Sequence, residues 1–252
     1  MDDDALCLHV VERVASVAGV EAVVLGGSRA RGVHRPDSDW DFGVYYRGSL
    51  DTQGIRAIGW EGQVFEPGDW GGGVFNGGAW LQIGGRRVDL IYRDLDEVER
   101  RIAEAEAGNF SVERLSFYVA GIPTYTVVGE LSGNRVLFGA LPRVVYPVAL
   151  SDAARERWHT DAVQHLDYTR RACAATGDVV ATAGNLSRTV LCEAHSRMAA
   201  RRDWVLNEKG LAEKAGLGGA ASTLAALGTT VEALMDACDA VGAAIDTGGA
   251  PA

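Results

Sequence analysis

Lysine is almost missing from this chain of 252 residues: Lys209 and Lys214 stand against 22 arginines. Basic charge as a whole is in deficit, with 24 Lys and Arg against 34 Asp and Glu and a formal net charge of -10. A broad phosphate-binding surface needs the opposite balance, so a nucleic-acid partner is not expected. Cysteine is also scarce. Cys7, Cys173, Cys192 and Cys238 lie far apart, no Cys-x-x-Cys pair occurs, and His9, His34, His159, His165 and His195 have no ligand spacing. A zinc site or a disulfide framework is therefore not expected, and the thiols read as reduced core residues of a cytoplasmic protein. No apolar run reaches the roughly 18 residues that a membrane span requires. The opening MDDDALCLHVVERVASV is acidic where a signal peptide is basic, which predicts a chain neither exported nor embedded in a membrane.

What is present is an ordinary core-forming composition, 47% hydrophobic, long enough for one large domain or two small ones. Up to about residue 150 the texture is mixed. LCLHVVERVASVA has helical spacing, VEAVVLGG is a short strand run, and DWDFGVYY alternates as a strand does. GAWLQIGGRRVDLIYR reads as two strands joined at Gly84-Gly85, and DLDEVERRIAEAEAG as a helix that opens on acids and stops at glycine. TYTVVGEL and RVLFGAL fit either helix or strand. From Ser151 on the periodicity is helical, with Ser151 or Asp152 as the expected N-cap and further helices over GNLSRTVLCEAHSRMAARR, NEKGLAEKAG and TVEALMDACDAVGAAI. The stretches GDWGGGVFNGG, GLGGAAS and TGGAPA read as loops or a tail. The expected fold class is α+β: a mixed sheet with helices over residues 1–150, followed by a helical bundle domain over residues 151–252.

The stretch that carries chemistry is GGSRARGVHRPDSDWDFGVYY, residues 26–46. A strand runs into Gly26-Gly27-Ser28, where a helix should open, so the N–H groups of Gly27 and Ser28 offer an anion site that no side chain shields. Asp39 and Asp41 follow at the start of a strand. Period two places both carboxylates on one face, roughly 6 to 7 Å apart along the chain, where they repel unless a cation lies between them. Carboxylates beside a phosphate are what magnesium prefers. A third carboxylate, Asp89, sits in the apolar run RVDLIY, where an unpaired charge is costly. If its strand adjoins that of Asp41, three carboxylates face the glycine-serine turn, the arrangement of a two-metal clamp for displacement at phosphorus.

GGSRARG, the spacing from Ser28 to Asp39, SDWD and the later strand aspartate resemble the nucleotidyltransferase superfamily that includes DNA polymerase beta. The helical second half and the length are most similar to the aminoglycoside nucleotidyltransferases. The resemblance covers residues 20–95 well and the second half only loosely. It implies a nucleoside triphosphate donor, ATP foremost, two Mg2+ ions, and transfer of a nucleoside monophosphate with release of pyrophosphate. Carried over by residue, Gly27 and Ser28 match the phosphate-binding turn, Asp39 and Asp41 the metal-binding pair, and Asp89 the third carboxylate. Asp89 and Glu130 are both candidates for the base that accepts the proton of the acceptor hydroxyl. Lys209, after Asn207 as an expected helix N-cap, matches a lysine that relatives place on the triphosphate. Of Arg29 and Arg31, one should touch phosphate, Arg31 being carried as that ligand, and the other should cap or pair with an acid. Trp40 should face the core by alternation, while Trp70, Trp80 and Trp204 are open between packing and lining a cleft.

The acceptor is less constrained. A small hydroxylated molecule of the aminoglycoside type suits an acidic chain, since residues 1–150 hold 21 acids and 14 bases. The alternatives are an AMPylating or antitoxin-type enzyme acting on a protein, which the large helical half disfavours, and a non-catalytic nucleotide sensor, which the three carboxylates disfavour.

Overall fold

A computed structural model of the chain describes residues 2–246; TGGAPA at the end lies outside them. The described chain forms two compact units. One runs to Glu104 and takes back Thr124–Val145, and the other comprises Ala105–Pro123 and the chain from Tyr146 on.

The first unit is built on α1 (Asp3–Val14), β1 (Val20–Leu25), α2 (Gly27–Ala30), β2 (Trp40–Tyr46), α3 (Thr52–Ala57), β3 (Glu61–Val64), β4 (Gly78–Ile83), β5 (Arg86–Asp94) and α4 (Leu95–Glu106). Its six strands run in the order β3-β4-β5-β2-β1-β8, with the last strand at Arg135–Phe138. Only β2 and β5 are parallel; the other pairs are antiparallel. Alternation then sorts the side chains. Phe42, Val44, Val88, Leu90, Tyr92, Ala79 and Leu81 point to one face and join Leu6, Val10 and Val14 of α1 in a buried core. Helix α1 forms because Asp2 caps it, accepting from the N–H of Ala5 at 2.8 Å, while Asp3 and Asp4 favour its positive end. On the other face, Ala22, Val24 and Tyr45 meet Leu95 and Val98 of α4 and Leu131 of α5 (Thr126–Gly133). That face is covered at one end of the strands and carries the polar residues at the other.

The hairpin expected at Gly84-Gly85 is present between β4 and β5. The two ambiguous stretches resolve as a helix over Thr126–Gly133 and a strand over Arg135–Phe138.

The second unit holds a small ribbon of β6 (Val112–Glu113) and β7 (Ile122–Pro123), then α6 (Val148–Tyr168), α7 (Val179–Ala200), α8 (Leu211–Lys214), α9 (Gly219–Ala225) and α10 (Val231–Asp246). A π turn at Thr169–Cys173 and a short 3-10 turn at Ala174–Thr176 follow α6. Ser151 donates to the Ala199 carbonyl at 2.7 Å and Ser196 to that of Arg155 at 2.9 Å, so α6 and α7 run antiparallel. Ser151 is thus no N-cap: α6 starts at Val148 behind Pro147, and the hydroxyl is buried against the neighbouring helix. Asn207 is not a helix cap either. Its side chain accepts from the N–H of Lys209 at 3.0 Å in a tight Asx turn, and the helix expected over NEKGLAEKAG shrinks to Leu211–Lys214. All four cysteines are buried and free, and burial pushes the Cys192 thiol up to about 12. Among the described residues, no helix is long and apolar enough to cross a membrane.

Candidate active site

The chemistry-bearing residues of the first unit line up across the sheet because strand registers match. Asp41 on β2 stands beside Asp89 on β5, Asp89 stands beside Trp80 on β4, and Trp80 stands beside Gln63 on β3. Paired residues on neighbouring strands share a face. On the other side of Asp41, its carbonyl accepts the N–H of Gly26 at 2.8 Å, which fixes the glycine-serine turn at the end of the same row.

Gly27 is required twice over. Its φ is +61°, in the left-handed region that side chains disfavour. A Cβ there would also lie 1.8 Å from a carboxylate oxygen of Asp41, so the turn presses directly on that carboxylate. Gly27 and Ser28 form the first turn of α2, where helix geometry supplies no carbonyl for the backbone N–H groups. The turn is short, only four residues, and it is held from below: Arg29 donates to the Ser38 carbonyl at 2.8 Å and lies 4.1 Å over the Trp40 ring. Arg29 therefore pins the loop that leads to the aspartates, while Arg31 is exposed at the end of α2. Trp40 faces the core, as alternation predicts, and is 3% exposed.

Burial pushes the carboxyl of Asp89 up to about 6, and the charges of Asp41 and Asp39 push in the same direction. That is the expected response of like charges gathered without a cation. Asp39 is the member set apart. Arg87 donates to its carboxylate and, through its other end, to the Asp37 carbonyl at 3.2 Å. With Asp39 turned to Arg87, no three of the described His, Cys, Asp and Glu residues stand together as a metal-holding group. The donor chemistry nevertheless suits a hard divalent ion: Asp41 and Asp89 offer carboxylate oxygens side by side, and Asp39 can join by exchanging its arginine. Arg87 lies two residues before Asp89 on β5 and therefore on the same face, a place that strand parity alone gives it. Beyond it, Arg29, Arg86 and Arg87 line a groove of about 620 Å³ together with Asp39 and Trp40.

Two further candidates remain, Glu130 and Lys209. Glu130, on α5, binds Arg93 with both carboxylate oxygens at 2.7 Å, and Arg93 is 4% exposed. Arg93 is four residues beyond Asp89 on β5, about 13 Å along the strand. Lys209 belongs to the second unit, where it is exposed. Its neighbour Glu208 accepts the successive N–H groups of Val119 and Ala120 at 2.7 and 2.8 Å, tying that loop to the turn.

Residues 9–108 match the family model described as Nucleotidyltransferase domain. This stretch contains the turn, the three aspartates and strands β1 to β5, and the match supports nucleotidyl transfer by this domain. Domains of this kind use nucleoside triphosphates and divalent metals. No curated protein matches the chain. Among solved structures, a nucleotidyltransferase-like protein from Exiguobacterium sibiricum is similar over 97% of this chain and 74% of its own, at 11% identity and a TM-score of 0.46.

Proposed function

With a nucleotidyltransferase domain as the premise, we infer that the chain transfers a nucleoside monophosphate from ATP to a hydroxyl of a small molecule of the aminoglycoside type. The observation that carries this reading is the register of Asp41 beside Asp89, with Gly27 pressed against the Asp41 carboxylate. Carboxylates brought side by side next to a glycine turn are the kind of cluster found where a ligand or cation binds.

In this reaction the acceptor oxygen bonds to the α-phosphorus, the bond from that phosphorus to the bridging oxygen breaks, and pyrophosphate leaves. The hydroxyl proton passes to the Asp89 carboxylate, which stands in register beside Asp41. Glu130 is spent on the buried Arg93, which favours Asp89 for this role. The Gly27 and Ser28 N–H groups and the Ser28 hydroxyl hold phosphate oxygens, and Arg31, free of the loop contacts that occupy Arg29, adds charge. Magnesium, held by Asp41 and Asp89 with Asp39, supplies charge neutralisation of the phosphates when bound.

The acidic balance of the chain supports a cationic acceptor. The test is pyrophosphate release from each nucleoside triphosphate with magnesium across a panel of aminoglycosides, lincosamides and neutral sugars. Release with ATP and an aminoglycoside is expected, with apparent affinity falling as salt shortens the field to about 8 Å near physiological ionic strength. Silence across the panel, with label appearing instead on a co-purifying protein, would replace this reading by a protein-modifying one.

A further inference from the structure

The row across the sheet does not end at the carboxylates. Its next member, Trp80, is 51% exposed, although tryptophan is the side chain with most to gain from burial. It is held in place from one side only. Trp70 stacks on it with ring centroids 5.5 Å apart and planes 24° from parallel, and Phe65 meets it edge-on at 4.8 Å. Gly78 makes the stack possible, because a Cβ at that position would lie 2.5 Å from the Trp70 ring. A glycine within a strand, a second indole filling its place and a phenylalanine at the edge together fix one open indole. Its strand neighbours are Asp89 on one side and the exposed amide of Gln63 on the other. Adjacent strands are about 4.8 Å apart, which puts the open ring one strand from Asp89 and two from Asp41.

We propose that Trp80 is the platform on which the acceptor lays the face of a saturated, hydroxylated ring, and that it sets acceptor specificity. A sugar or aminocyclitol ring presents apolar C–H groups on its face and polar groups around its edge. The open indole suits the first, and the flanking Gln63 amide and Asp89 carboxylate suit the second. The ring edge then points along the row toward Asp89, where the reacting hydroxyl has to lose its proton. Phosphate recognition lies at the opposite end of the row, at Gly27 and Ser28, so the two substrates occupy different members of one line of residues. This assignment rests on the transferase reading above and adds the residue that selects the acceptor.

The experiment is a titration of the whole protein, with magnesium, by kanamycin A and separately by the neutral maltotriose, followed by calorimetry, and by ATP in a third arm. Trp80→Ala, checked for fold by circular dichroism, should bind whichever ring compound the parent binds about tenfold more weakly, the usual effect of removing an aromatic stacking surface. Trp80→Phe, which keeps a ring, should restore most of that affinity, and both variants should bind ATP as the parent does. In turnover the Ala variant should raise KM for the acceptor far more than it lowers kcat. Weakened ATP binding with ring binding intact would make Trp80 a nucleobase platform and overturn the proposal. Unchanged binding in all arms, or a parent that binds ATP but neither ring compound, would overturn it as well. A parent that binds no ATP would instead strike the transferase reading itself.

Discussion

The two ends of strand β5 make a controlled comparison, because Asp89 and Arg93 lie on the same strand, on the same face, four residues apart. At one end, Arg93 is buried and its charge is met by both oxygens of Glu130. At the other, Asp89 is half-buried beside Asp41, and burial, with the like charges of Asp41 and Asp39 added, holds its carboxyl toward the neutral form. A buried charge that is matched serves the fold: truncating one partner strands the other, while the pair itself contributes little. A charge gathered with its own kind destabilises the fold and persists where something binds there. The difference separates a charge whose place the fold explains from one whose place the fold alone does not explain, within one strand.

The largest effect should come from the mismatched end. Asp41→Asn should cut turnover by about 10²- to 10³-fold or more, as loss of a principal charge-stabilising group does. In metal-free protein the same change should hold or raise Tm, because it relieves the repulsion on Asp89. Asp39→Asn should also cost turnover but should not raise Tm, since Arg87 already neutralises Asp39. Calorimetric melts with a chelator, beside pyrophosphate assays, separate the two variants. Full activity in both would remove these aspartates from the site.

The matched end should answer in stability instead. Arg93→Met leaves the Glu130 carboxylate unpaired and should destabilise the first unit by about 3 to 5 kcal/mol, with Arg93→Met/Glu130→Leu recovering most of the loss. Urea unfolding measures both. The double variant should also keep turnover per folded molecule. If it folds and is inactive, Glu130 and not Asp89 takes the proton.

This comparison marks what the sequence disclosed. The shared face of Asp41 and Asp89 was legible because strands have period two, whereas Asp39 precedes β2 and turns to Arg87, which no period announces. Arg87 obeys the same parity and could have been drawn from it. The partner of Glu130 could not: Arg93 lies 37 residues away, and only the packing of α5 over the sheet brings them together. TYTVVGEL was ambiguous because its residues are buried nearly all round, which erases the periodicity that separates helix from strand. The strand Glu61–Val64 was missed for the opposite reason, having almost no apolar face to alternate. Ser151 and Asn207 misled because a polar side chain before a helix can serve a neighbouring carbonyl or its own turn as well as a cap. Trp80 was left open because its stacking on Trp70 depends on the path of the glycine-rich loop between them and on the empty place at Gly78, which no periodicity signals.

The smallest effect sharpens the comparison with a group that has neither a matching nor an opposing charge. His195 is buried in the second unit, stacked on Trp158 with centroids 4.3 Å apart, and neither ring nitrogen has a hydrogen-bond partner. Burial alone lowers its pKa to about 3. Unfolding restores an ordinary value near 6.5, so below that pH the unfolded chain takes up a proton that the folded chain refuses. Stability is therefore unaffected above about pH 6.5 and falls as the pH drops from there toward 3, by at most about 1.4 kcal/mol per pH unit. His195→Phe keeps a ring against Trp158 and removes the titration. Urea midpoints of parent and variant should differ by a constant amount at neutral pH and diverge below about pH 6, the variant losing less stability. Parallel acid profiles would mean that His195 is charged in the folded protein, and that a partner for it exists in solution.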